Sequence, residues 1–129
     1  LGKPEANSVE YCEAAVKTAK EMKKMTDSMN NLWRMNDSAV FDIGIGVSLG
    51  KFITGNIGCE SRKEFTCLGD VVNVASRLQS KTRSVESARV LVTADIFDIL
   101  ESSTVNENFG SPQFISLKGK SNPVKIYAL

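Results

Sequence analysis

Residues 63–77, KEFTCLGDVVNVASR, decide the fold of this chain. EFTCL reads as a short strand, Gly69 as a tight turn, and the residues after Asp70 as the start of a helix. At about 100° per residue, Val71, Val74, Ala75 and Leu78 gather on one side and require a core. Asn73 and Arg77 fall on the opposite side, one turn apart, with Ser76 and Ser80 flanking them. Periodicity alone leaves two readings of that face. It is either solvated polar surface, or an amide and a guanidinium set for an anionic phosphate beside an ether or hydroxyl oxygen. Asp70 reads as the helix cap rather than as a metal ligand, its carboxylate accepting from first-turn amides.

Upstream lies a long amphipathic helix, opened by a capping-box spacing at Asn7 and Glu10. Its apolar residues recur at Cys12, Ala15, Val16, Ala19, Met22, Met25, Met29, Leu32 and Trp33, and the methionine stripe reads as core filling. After a break at Asn36, Asp37 and Ser38, VFDIGIGV alternates as a strand and KFITGNIG follows, so a hairpin between them is expected. Downstream, a Ser-, Thr- and Arg-rich loop over residues 80–88 leads to the strand RVLV. Thr93 then caps the short helix ADIFDIL. Residues 101–112 are polar and irregular. QFISLKGK and VKIYAL close the chain as two strands joined near Asn122 and Pro123. Hairpins dominate this order, which predicts an α+β architecture with a mostly antiparallel sheet and helices on one face.

Composition narrows the chemistry. At 129 residues the chain is one domain at most, and with 42% hydrophobic residues it can bury a core. A net charge of +1 gives no support for bulk electrostatic binding to nucleic acid or to an anionic membrane. The cysteines Cys12, Cys59 and Cys67 form no C-x-x-C pair and fit reduced, cytoplasmic thiols. The absence of histidine removes Ser-His and Cys-His nucleophile pairs and most transition-metal sites. Any chemistry here is expected to use oxygen ligands, Arg, Lys and positioning. GIGVSLG misses the dinucleotide fingerprint, because its last glycine falls at position 50 where the pattern needs 49.

GIGVSLGKFITGNIG, EFTCLGDVVNVASRLQS, VLVTADIFDIL and FISLKGKSNPVKIYAL, in that order and spacing, resemble the class III nucleotide cyclase catalytic domain, the adenylyl and guanylyl cyclase family. The resemblance covers essentially the whole chain, and its T-x-x-G-D-x-V-N-x-A-S-R stretch is highly specific. It implies a ferredoxin-like cyclase core in which residues 1–129 form a partial catalytic domain, with N-terminal strands missing. It further implies conversion of ATP to cAMP and pyrophosphate by 3′-hydroxyl attack on the α-phosphate, in intracellular signalling. By resemblance, Asn73 orients the ribose and Arg77 stabilises charge on the α-phosphate. Lys118 holds the terminal phosphates, and Thr66 reads the purine edge.

Thr66 stands where many adenylyl cyclases carry Asp and guanylyl cyclases usually carry Cys. A hydroxyl donates or accepts and so serves either purine, leaving a GTP-using guanylate cyclase as an alternative to ATP. The family's metal-binding aspartates precede the long helix. Asp42 and Asp70 do not align with them, so no metal ligand is assigned within this chain. Mg²⁺ or Mn²⁺ would be held upstream. The family's site is composite, which implies a second catalytic domain as partner, in a homodimer, and predicts that this chain alone makes no cyclic nucleotide. A non-catalytic cyclase-like regulatory or dimerisation domain is the other reading.

Overall fold

The computed structural model describes residues 8–59, 62–85, 88–102 and 108–129. Helix α1 spans Ser8–Met35, strand β1 Ile45–Val47, β2 Ile53–Cys59 and β3 Arg62–Leu68. They are followed by α2 (Asp70–Lys81), β4 (Val90–Thr93), α3 (Ala94–Glu101), β5 (Gln113–Ile115) and β6 (Val124–Ala128). Asn7, and with it the expected capping box, lies outside the described residues.

The main sheet has the order β1-β4-β6-β5, and β2 and β3 form a separate two-stranded ribbon. The expected hairpin between the first two strands does not form. β1 pairs in parallel with β4, while β2 pairs antiparallel with β3 from Ile53↔Leu68 to Cys59↔Arg62. The reason lies in Gly44 and Gly46. A Cβ on Gly46 would collide with the Ala75 carbonyl oxygen and the Gln79 backbone nitrogen, and one on Gly44 with the Thr82 hydroxyl. These two glycines let α2 lie directly on β1, and the chain crosses over through the ribbon and α2 before β4 adds alongside. β4–β6 and β5–β6 are antiparallel, so the mostly antiparallel, α+β expectation holds.

The helices, however, cover both faces of the sheet. Cys12, Val16 and Ala19 of α1 and Ile96 and Leu100 of α3 pack with Val90, Val92 and Tyr127. On the other face Val74 and Leu78 of α2 pack with Leu91, Leu117 and Ile126. Alternation along β4 explains the split: its side chains are buried throughout, so each face needs its own cover. Burial also raises the pKa of the Cys12 thiol above its ordinary value, as expected of an inert core cysteine.

The methionine stripe is not core. Met22, Met25, Met29 and Leu32 are exposed, Met25 at 63%. A 28-residue helix is about 42 Å long and outruns strands of three to five residues, so only its first half meets the sheet. In the second half the two buried positions, Thr26 and Asn30, are polar and satisfied locally. The Thr26 hydroxyl donates to the Met22 carbonyl, and the Asn30 side-chain amide both donates to the Phe41 carbonyl (2.6 Å) and accepts from the Phe41 N–H (3.1 Å). Arg89, just before β4, binds Asp27 of α1 and, at 2.9 Å, Asp42.

Candidate phosphate-binding site

Helix α2 projects the polar face read from sequence. Val74 and Leu78 are buried, Asn73 is exposed and Arg77 is half-buried. Its N-terminus differs from expectation. Gly69 occupies the cap position and makes no side-chain cap, so Asp70 is the first helical residue. Its carboxylate instead pairs with Lys120 at 2.5 Å. The start of the helix is further tied to the end of β1 by the Ser48 hydroxyl, which donates to the Val71 carbonyl at 2.7 Å. Thr93 does hold the cap position of α3, also without a side-chain cap.

The turn carrying the LKGK motif lies against the same edge of α2. The Lys120 N–H donates to the Leu117 carbonyl at 3.0 Å, and Gly119 adopts φ +79°, the left-handed region that glycine tolerates. The Arg77 guanidinium lies on the side of Gly119 where a side chain would be, with Nη1, Nη2 and Cζ 3.5–3.9 Å from that position. Asp70 and Arg77, two helical turns apart, therefore both meet the turn. Lys118 is exposed, and among the described residues neither it nor Arg77 is held in an ion pair.

Of the residues predicted from sequence, Arg77 and the turn bearing Lys118 are brought together, and Asn73 sits one turn before Arg77. Thr66 is half-buried on β3, paired with Gly55, in the ribbon that stands outside the main sheet. Sequence reading missed Asp70 as a partner of Lys120 and Gly119 as the seat of Arg77. The available signal was the glycine between two lysines, a pattern that turns the chain sharply and sends neighbouring cations apart.

An open cleft of about 500 Å³ lies beside this site, between the N-terminal ends of α2 and α3, with Lys51, Asp70, Thr93, Lys120 and Lys125 in its wall. Lys125 sits with its ammonium 5.3 Å from the Tyr127 ring centroid, and the Tyr127 side chain beside it raises its pKa above the ordinary lysine value. None of Thr66, Asn73, Arg77 or Lys118 lines this cleft. A divalent cation does not fit the two aspartates weighed from sequence, Asp42 and Asp70. Asp70 is neutralised by Lys120, Asp42 shares Arg89 with Asp27, and no three metal-ligating side chains converge among the described residues.

The family model of the adenylate and guanylate cyclase catalytic domain matches residues 5–129. The chain belongs to that family. It is 35% identical over 113 residues to the terminal-differentiation-specific adenylate cyclase of Dictyostelium discoideum, covering 88% of this chain and 5% of that protein. Its fold is similar to the crystal structure of the adenylyl cyclase CyaB from P. aeruginosa, with TM-score 0.74 and 27% identity over 91% of this chain and 57% of that one. The guanylyl cyclase Cya2 is similar in fold alone, with TM-score 0.75 and 22% identity over 99% of this chain and 61% of that one. This cyclase chain thus spans a small part of its curated relative and less than two thirds of either solved chain. None of its described helices is long and apolar enough to cross a membrane.

Proposed function

We propose that this chain supplies the phosphate and ribose half of a cytoplasmic nucleotide cyclase site that converts ATP to cAMP and pyrophosphate. The observation that carries the reading is the Arg77 guanidinium, without an ion-pair partner among the described residues and lying beside the Gly119 turn and the exposed Lys118. In the reaction the ribose 3′-oxygen bonds to the α-phosphorus, the bond to the β-phosphate bridge breaks, and the hydroxyl proton is lost. Negative charge grows on the α-phosphate and the leaving pyrophosphate, where a fixed guanidinium and an ammonium stabilise it most. Asn73, one turn from Arg77, orients the ribose. Thr66 reads the purine edge from the ribbon, and its hydroxyl serves adenine or guanine.

The other half of the site is assigned to a second catalytic domain. The ribbon supports pairing, because Ile53, Phe65 and Leu68 are exposed on it and Ile53 reaches 76%. A lone two-stranded ribbon is marginal in water and gains by covering such residues against a partner. A homodimer is the partner this reading takes. The family resemblance, rather than any group of this chain, is what assigns the ligands of Mg²⁺ or Mn²⁺ to sequence upstream of residue 1.

The test is a cyclase assay with ATP and with GTP on both the parent protein and this 129-residue chain. Arg77→Ala in the parent should lower kcat by about 10²–10³-fold with little change in KM. A raised KM with unchanged kcat would make Arg77 a ground-state binding residue. The chain alone should form no cyclic nucleotide with either metal, and appreciable product would overturn the half-site reading. Preference for GTP would reassign the substrate, and an inactive parent would point to a regulatory or dimerisation domain.

A further inference from the structure

We propose that Asp70 and Lys120 are a positioning pair, fastening the LKGK turn to α2 so that Lys118 and Arg77 engage one phosphate chain. The proposal rests on the phosphate-binding reading of those two cations and assigns different work to the two lysines of the motif. Residues 70 and 77 differ by seven positions, so they lie almost in line along one edge of α2, about 10 Å apart. The turn meets that edge at both points, Lys120 pairing with Asp70 at 2.5 Å and Gly119 presenting its open Cβ side to the Arg77 guanidinium, 3.5–3.9 Å from where a Cβ would stand. With φ +79° at Gly119 between them, Lys120 is engaged by Asp70 while Lys118 has no ion-pair partner among the described residues. The pair is solvent-accessible, with side chains 35% and 66% exposed, and exposed pairs contribute little to stability. Its effect is therefore sought in geometry rather than in folding.

Simple charge and positioning predict opposite signs for one substitution. Asp70→Asn removes a negative charge beside three cations, so bulk electrostatics alone would tighten binding of a polyanion. A lost clasp frees the turn and weakens it. The probe is inorganic tripolyphosphate, titrated calorimetrically into the 129-residue chain, with thermal denaturation of each variant alongside. Asp70→Asn and Lys120→Gln should each weaken binding about fivefold, within the coupling expected of contacting residues, with unchanged melting temperature. The exchanged pair, Asp70→Lys with Lys120→Asp, should recover affinity to within about twofold, because it restores the contact at constant net charge. Unchanged or tighter binding by Asp70→Asn, or no recovery in a folded exchanged variant, overturns the clasp. If wild type does not bind, or Lys118→Gln and Arg77→Lys leave affinity unchanged, the phosphate reading itself fails. The clasp is then still read without ligand. Asp70→Asn should shift the Arg77 Nε–Hε NMR resonance, and an unmoved resonance rules out a clasp that seats the guanidinium.

Discussion

Helix α2 on β1 and the β2–β3 ribbon are joined by a single glycine, yet they solve the problem of burial in opposite ways. α2 reaches the sheet so closely that there is no room for a side chain at Gly46 of β1 or at Gly44 just before it. Its own apolar face, Val74 and Leu78, is buried against Leu91 and Ile126. The ribbon is longer than any strand of the main sheet, but forms no ladder with it and leaves Phe65 71% exposed. The first region is complete within one chain, whereas the second has its backbone hydrogen bonds but lacks an apolar cover. Arg77 therefore stands on a rigid base, while Thr66 stands on an element whose position depends on what it meets.

The sharpest way to break that contrast is to disturb the contact on which α2 rests. Gly46→Ala places a methyl against the Ala75 carbonyl, the Gln79 nitrogen and the Leu78 Cβ, mostly backbone atoms that cannot turn aside. The expected loss is about 3 kcal/mol, at the upper end of overpacking costs, measured by urea denaturation. A variant as stable as wild type would mean that α2 does not lie on β1 as described.

Phe65→Ser on the ribbon should do the reverse. Stability of the chain should change by no more than about 0.5 kcal/mol, as for ordinary surface substitutions. Self-association, followed by sedimentation equilibrium, should weaken by about 2 kcal/mol if Phe65 is an anchor of the homodimer. Equal association of the two proteins would remove the ribbon from the interface.

These two regions also mark where sequence was legible. Thr66, Asn73, Arg77 and Lys118 were singled out by family resemblance rather than by local pattern, while helix periodicity separated Asn73 and Arg77 correctly from Val74 and Leu78. Strand partners could not be read. Alternation in VFDIGIGV tells which residues share a face but not which strand lies alongside, and parallel pairing with β4 closes only after a crossover. Helix α1 was misread for a related reason. Its exposed stripe at Met22, Met25, Met29 and Leu32 lies one residue away from the inward positions Lys23, Thr26, Asn30 and Trp33. Hydrophobicity favoured the methionines, whereas the short sheet and the Asn30–Phe41 hydrogen bonds set the orientation. The Asp70–Lys120 pair spans 50 residues, a separation at which local capping rules have no purchase.

The smallest effect concerns Thr93, where the main sheet itself is imperfect. Its side chain is buried at the junction of β4 and α3, and the hydroxyl has no hydrogen-bond partner among the described residues. A buried hydroxyl left unpaired forfeits its hydration without compensation, at a cost of about 1–3 kcal/mol. Valine has nearly the same shape and the same branching at Cβ, and it suits a strand end that caps a helix only through its backbone. Thr93→Val should therefore raise stability by about 1 kcal/mol, the low end of that cost because the added methyl must also fit. In the parent protein it should leave cyclase kinetics unchanged. Thr93 lines the cleft beside Lys120 and Lys125 rather than the edge of α2 that carries Asn73 and Arg77. A loss of stability would show that the hydroxyl is satisfied in solution. Altered kinetics in a variant of normal stability would give Thr93 itself a part in the reaction.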